Sequence, residues 1–479
     1  MFPADERPPR LAPAETPVAA PRVRTRAGAA RRKGSALLIV LWVSVAAGAL
    51  FFASTRGVVA EIRRQKASLD AVRAEAAARG GIEKARYLLS TLQPNPSTPD
   101  PLSSLDPKDS FVGSDLEGAY YFLLKQSKDE DLPALGLVDQ SARLNLNTAT
   151  LKEIEALPDM TVDLAAAIVD FRDADDAPLP YGAESAFYLG LPRPYRAKNA
   201  PFENASELLL VKGMTPALFY GEDRDLNGVL DANEDDGTRS SPPDNADGVL
   251  ARGLYPFVTV SSAGPAHPAG EDWADLNKDG TADIASVLAG RVSREAMFRV
   301  FRSLYPRGRS GPRRTLQSLG DLVRFFPDFA SGALKADLAT IFKYCAVSGD
   351  PVVKGVVNVN TAPQEVLRTL PSIDDSLAIA IIAERDAGGH DFSTVCWLLD
   401  VPGMTPEAFA SLVPLVSAQS ALYTADCVGT NLAGDVSSRI WATIDASTPE
   451  MRVVSTEVWQ STGRVLDWKA VQEAGWIGK

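Results

Sequence analysis

The densest chemistry in the chain lies in twelve residues, Asp223-Arg-Asp225-Leu-Asn227-Gly228-Val229-Leu-Asp231-Ala-Asn-Glu234. Counted from Asp223, side-chain oxygens recur at positions 1, 3, 5, 9 and 12, the carbonyl of Val229 stands at 7 and glycine at 6. That is the EF-hand spacing, in which glycine makes the sharp turn and the last glutamate grips the ion with both oxygens. Hard oxygen donors without nitrogen or sulfur favour Ca²⁺; the competing reading is a solvated acidic loop. A second run, Asp275-Leu-Asn277-Lys-Asp279-Gly280-Thr-Ala-Asp283, repeats positions 1, 3, 5, 6 and 9 but has Ser286 at 12, and predicts a second, weaker Ca²⁺ site. Between them, Asn245-Ala-Asp247-Gly248 matches three positions, with Pro243 at the first, and offers a ligand at most.

Other chemistry finds little material. The chain has 2 histidines (His267 and His390) and 3 cysteines (Cys345, Cys396 and Cys427). That excludes His-rich metal sites and a disulfide scaffold, and allows one bridge whose pairing the spacing leaves open. No G-x-S-x-G, H-E-x-x-H, Walker A or G-x-G-x-x-G sequence is present, so the expectation is no enzyme. The segment Arg291–Arg314 holds eight arginines and one acid, Glu295, and reads as an exposed loop or a contact for an acidic partner.

These residues sit in a repeated framework. Leu144-Asn-Leu-Asn-Thr-Ala149 recurs as Val357-Asn-Val-Asn-Thr-Ala362, and Leu157-Pro158, Ile168 and Arg172-Asp173 recur as Leu370-Pro371, Ile381 and Arg385-Asp386, all offset by 213. Val211-x-Gly-Met-Thr-Pro216 then matches Val401-x-Gly-Met-Thr-Pro406 at offset 190, so the first copy carries 23 extra residues, within 174–201. Such self-similarity marks a duplicated module. In each copy Asn-Thr-Ala is expected to open a helix with Thr148 or Thr361 as N-cap, Leu-Pro to end it, and a second apolar helix to come after. This pattern resembles the helix-hairpin-helix family, many members of which bind DNA through glycine-rich hairpins. Here the hairpins read Asp159-Met-Thr and Ser372-Ile-Asp, with acids that repel phosphate.

Around the repeats, 119–125, 134–139, 422–425, 438–444 and 451–459 read as strands, giving one sheet split by a helical insertion. At the N-terminus, 22 uncharged residues (34–55) span ~30 Å at ~1.5 Å each, a bilayer core. Residues 1–33 carry eight basic and three acidic groups, leaving about −17 of the net −12 to the body. Basic residues before the apolar run place the N-terminus in the cytoplasm and the bulk outside it, and the acidic body argues against a nucleic-acid partner. Apolar residues continue at helical spacing to Leu89, with Gly80-Gly81 as the expected kink.

A basic leader ending in Gly34, followed by an apolar helix that runs on into an amphipathic one, resembles the type IV pilin family. That resemblance implies cleavage by prepilin peptidase between Gly34 and Ser35 and methylation of the new N-terminus. It also exposes a departure: the family's usual fifth-position glutamate is Ile39. Together with the duplicated insertion and the acidic loop, the pattern resembles the general secretion pathway protein K family, minor pseudopilins of type II secretion systems. The fold it implies is α+β. A pilin-like long helix and small antiparallel sheet carry a large inserted α-helical domain with two helix-hairpin-helix-like (SAM-like) repeats. The expected boundaries are a cleaved leader 1–34, a transmembrane segment 35–56, a periplasmic helix 57–92, sheet parts 108–143 and 416–470, and an insertion 144–415. Within the insertion lie repeats 144–220 and 357–415 and metal loops 222–286. The implied role is to cap and start a periplasmic fibre with minor pseudopilins of I and J type, anchored in the inner membrane, for export of folded substrates. The alternative function is a membrane-tethered DNA-uptake protein.

Overall fold

The uncharged run opens a single helix, Ser35–Thr91, in the computed structural model. The structure describes residues 35–477 except 93–94, 115–117, 127–132, 240–243, 268–271, 309–310, 327–331, 462–465 and 467. Gly34, the residue before the expected cleavage, therefore lies outside the described residues. The chain divides into two units, residues 1–65 and 66–479. In the first, Leu37, Trp42 and Phe51 are exposed, and the helix is long and apolar enough to cross a membrane.

In the second unit the helix changes character. Ala74, Ala78, Ile82, Ala85 and Leu89 are buried at three- and four-residue spacing and pack on an antiparallel sheet through Phe122, Cys427, Val428 and Ile440. The sheet order is Val112–Ser114, Tyr120–Lys125, Leu422–Thr430, Ser437–Asp445, Arg452–Ser461. Two short strands, Ala134–Leu135 and Val138–Asp139, pair with the second and third of these. Gly80-Gly81, the expected kink, does not interrupt the helix, which runs through both glycines. Gly81 instead permits close approach: a Cβ there would come 2.3 Å from Cys427 Sγ. At Gly429 the contact is with backbone, a Cβ falling 1.9 Å from the Ala74 carbonyl oxygen and 2.5 Å from the Ala78 nitrogen. Gly429→Ala is expected to destabilise the protein by about 3 kcal/mol, the upper end for overpacking, because backbone cannot swing aside. A urea-melt midpoint equal to the unsubstituted protein's would refute this packing.

The chain leaves the sheet at Asp139 and returns at Leu422, and the intervening residues build a second core from Leu144 to Val416. That insertion contains three copies of one module. Short parallel strand pairs open and close each: Leu144–Asn145 with Val258–Thr259, Ala274–Asp275 with Cys345–Ala346, and Val357–Asn358 with Val416–Ser417. One asparagine per copy clamps it shut. Asn147 donates to Phe202 and Val260, Asn277 to Leu316 and Val347, and Asn360 to Phe392 and Ala418 carbonyls, all at 2.7–2.9 Å. A guanidinium then donates to the same turn: Arg172 to Ala149 O, Arg313 to Asp279 O and Arg385 to Ala362 O. Asp159, Gly290 and Ser372 take the hairpin turn at φ of 53°, 74° and 66°.

The middle copy is hidden in the sequence because Lys278-Asp279-Gly280 replaces Thr-Ala-Thr and Thr-Ala-Pro. Of the arginines expected in an exposed loop, Arg291, Arg294, Arg302 and Arg307 are exposed, Arg309 lies outside the described residues, and the other three are engaged. Arg294–Leu304 is a helix, Arg299 pairs with Glu295, Arg314 with Asp321, and Arg313 is the clamp. Nor do Thr148 and Thr361 cap helices: Thr150 and Pro363 occupy the N-caps, because a backbone turn from Asn145 or Asn358 comes first. Thr361 donates instead to Asp139, at the point where the chain leaves the sheet. All three cysteines are buried, unpaired thiols, so no bridge forms between Cys345, Cys396 and Cys427.

Candidate metal centre

The first acidic loop comes directly after the helix Pro216–Tyr220 of the first copy, where Gly221 ends the helix at φ 67°. Carboxylate oxygens of Asp223, Asp225 and Glu234 lie within 4.8 Å of one another. The turn between them depends on position six. Gly228 adopts φ 75°, which costs glycine nothing, and Leu226 is held at φ 59° beside it. Backbone amides orient the acids: Asn227 and Gly228 N–H donate to the two oxygens of Asp223 (both 3.0 Å), and Arg224 and Asp231 N–H to those of Glu234 (2.7 and 3.1 Å). Asn227 Oδ1 accepts Val229 N–H at 2.6 Å, and its amide group donates to Asp225 and Asp231.

Asp223 is 0% and Glu234 2% exposed. Burial pushes Glu234 up to about 7 and Asp225 up to about 6, with neighbouring acids adding to both. Burial likewise raises Asp223, against its two amide donors. Arg439 offsets part of this at Asp225 and Asp223, and Arg252 at Asp223; an all-oxygen set around a positive-φ glycine suits a hard cation of six to eight ligands. Asp223, Asp225 and Glu234 would hold it, with Asn227, Val229 and Asp231 on the same loop.

The sheet supplies a brace that the linear motif does not contain. Arg439, on strand Ser437–Asp445, donates to Asp426 at 2.8 and 2.5 Å, to the Leu226 carbonyl at 3.1 Å and to the Asp225 carbonyl. Gln126, just past another strand, donates to Asp223 Oδ2 at 3.2 Å. The flanking acids tie the downstream segment in too: Glu222 accepts Asn245 and Ala251 N–H, and Asp235 accepts Gly248 N–H. Pro243 lies outside the described residues.

The second predicted loop has a different geometry. Asp275, Asn277, Asp279 and Asp283 do not converge, because they form the opening turn of the middle copy. Asn277 spends its amide on Leu316 and Val347 and accepts Leu316 N–H. Asp275 accepts Asn277 N–H as Asn145 accepts Asn147 N–H, Asp279 accepts Asp275 N–H, and exposed Asp283 caps its own helix at Gly280. Gly280, at the supposed turn, has φ −69° and ψ 161°, an extended helix cap rather than a loop turn.

The hairpins offer phosphate little. The helix N-termini behind them are closed by their own side chains: Thr161 accepts Leu164 N–H, Ser293 accepts Ala296 N–H and Asp374 accepts Leu377 N–H. His267 stacks on Trp273, and His390 sits between Glu384 (3.1 Å) and Asp400 (3.3 Å).

Comparison with known proteins mirrors this partition. Residues 134–220 match the family model for type II secretion system (T2SS), protein K, and residues 352–417 that for the helix-hairpin-helix motif. No curated protein matches the chain. Among solved structures, the crystal structure of the GspK-GspI-GspJ complex from the enterotoxigenic Escherichia coli type 2 secretion system is similar at 13% identity and TM-score 0.37, covering 84% of this chain and 100% of that one.

Proposed function

We propose that this chain, which carries the protein K domain of the type II secretion system, is a minor pseudopilin that caps and initiates the pseudopilus with I- and J-type subunits. The carrying observation is the match over residues 134–220, in a module inserted into a sheet that packs on the N-terminal helix. In this reading the helix is a single-pass inner-membrane anchor with the bulk in the periplasm. Prepilin peptidase cuts between Gly34 and Ser35, and the fibre drives folded substrates outward. The loop Asp223–Glu234 is its Ca²⁺ site, setting the inserted domain against the sheet through Arg439.

Capping is a consequence of volume. A fibre subunit needs room for a neighbour above it, and a domain of three modules joined to the sheet fills that room. Ile39 adds to this, since a subunit with nothing beyond it has no neighbouring amine for a carboxylate to meet. The test is Ile39→Glu expressed with prepilin peptidase, viewed by electron microscopy and by co-purification with I- and J-type subunits. Recovery of the three-subunit complex and no long fibre of this chain alone is the expected result. Regular homopolymers would overturn the cap.

A further inference from the structure

The first module differs from its siblings in the segment after its clamp arginine. Arg385 reaches Phe392, whose carbonyl the module asparagine holds, in seven residues, whereas Arg172 reaches Phe202 in thirty. Three acids stand where this extra segment leaves and rejoins the core. Asp170, on the helix Val162–Arg172, is 0% exposed, Asp173 ends that helix half-buried, and Glu184, within the segment, is 3% exposed. Their oxygens come within 4.8 Å of one another.

Asp170 is held in place by Leu179 N–H, which donates to both its oxygens at 3.1 and 3.2 Å. Gly182 closes over it, so tightly that a Cβ there would lie 1.9 Å from Asp170 Oδ2. Glu184 has no such support. Both its carboxylate oxygens are buried and accept no hydrogen bond, and neither does Asp173 Oδ1. Of the basic groups acting on the cluster, Lys212 Nζ donates to the carbonyls of Tyr181 and Gly182, and Arg172 donates to that of Ala149 while its Nη1 makes no hydrogen bond to the acids. The sibling module shows that the fold does not require this charge. There the residue matching Asp170 is Ala383, and Asp386, matching Asp173, is 70% exposed beside Arg385.

An uncompensated buried carboxylate costs several kcal/mol, so such a group is retained where something positive meets it. We propose that Asp170, Asp173 and Glu184 form a second Ca²⁺ site, distinct from Asp223–Glu234, that clasps the 174–201 segment to the first module. The oxygen-only donors select a hard cation, and three protein carboxylates in a closed site suit Ca²⁺ better than Mg²⁺, which keeps most of its water. The site does not depend on the fibre role proposed above.

The test counts bound metal on the full chain in detergent. After chelation and gel filtration into micromolar Ca²⁺, native mass spectrometry is expected to find one equivalent fewer in Glu184→Gln and one fewer in Glu234→Gln. The double variant should lose both. In parallel, Ca²⁺ should slow proteolysis within 174–201 for Glu234→Gln but not for Glu184→Gln. If Glu184→Gln fails to fold by near-ultraviolet circular dichroism, Asp173→Asn, at the half-buried rim, takes its place in both assays. Unchanged stoichiometry in the variant used, or equal protection by Mg²⁺ at the same concentration, would overturn the assignment. Loss of Ca²⁺ only in Glu234→Gln would leave the first loop standing and remove this one.

Discussion

Saturating Ca²⁺ is expected to raise the melting temperature of this protein by about 5 °C, with a larger gain at pH 7.5 than at pH 5. Mass action at a hundredfold excess over Kd contributes about 2.7 kcal/mol, and a large domain gains roughly 2 °C per kcal/mol. The pH dependence comes from Asp225 and Glu234, held up to about 6 and 7 by burial. Without metal, the folded loop keeps protons that the unfolded chain releases between about pH 4 and 7. Stability then falls as pH rises through that window, by about 1.4 kcal/mol for each pH unit separating a carboxyl's folded pKa from its unfolded one. Metal reverses the sign, because Ca²⁺ holds the carboxylates ionised and protons compete with it, so its contribution is full near pH 7.5 and fades below about pH 6. Calorimetric melts with Ca²⁺ or chelator at both pH values check this. Glu234→Gln should shrink the response to what the Asp170–Asp173–Glu184 site supplies, and identical melts under all four conditions would end the calcium reading of the loop.

Arg439→Met is the second large effect. The substitution keeps an apolar stem but leaves Asp426, 8% exposed, with no guanidinium, and it cuts the bonds to the Asp225 and Leu226 carbonyls. Breaking one side of a buried pair costs about 3–5 kcal/mol. Adding Asp426→Asn should recover a large part, since the stranded charge is then gone. Ca²⁺ affinity should fall by about 10- to 100-fold, the usual penalty for losing a group that orients metal ligands. Urea unfolding gives the first quantity and calorimetric titration the second. Unchanged affinity in a destabilised Arg439→Met protein would show that the loop holds its shape without the sheet.

The two effects divide what local spacing can encode from what it cannot. The loop 223–234 was legible because its donors are fixed by local backbone geometry, one glycine turn and neighbouring amides, all within twelve residues. At 275–283 the same residue types serve a different local conformation. The sign of φ at Gly280, which separates a metal turn from a helix cap, is set by the module around it. One signal was present in the sequence: Asp275-Leu-Asn277 keeps the two-residue spacing of Asn145-Leu-Asn147 and Asn358-Val-Asn360.

Residue order was enough to specify the apolar helix, the strands on both sides of the insertion, the first and last modules and the acidic loop. Each is written in nearest-neighbour spacing, and a helix, strand or turn needs nothing more. Only packing settled that Gly429 lets the helix touch the sheet and that Arg439 reaches 213 residues back to brace the loop. Packing also settled that Asp170, Asp173 and Glu184 meet. Those facts depend on which surfaces the folded chain buries together, and burial is a property of the packed chain, not of any window along it.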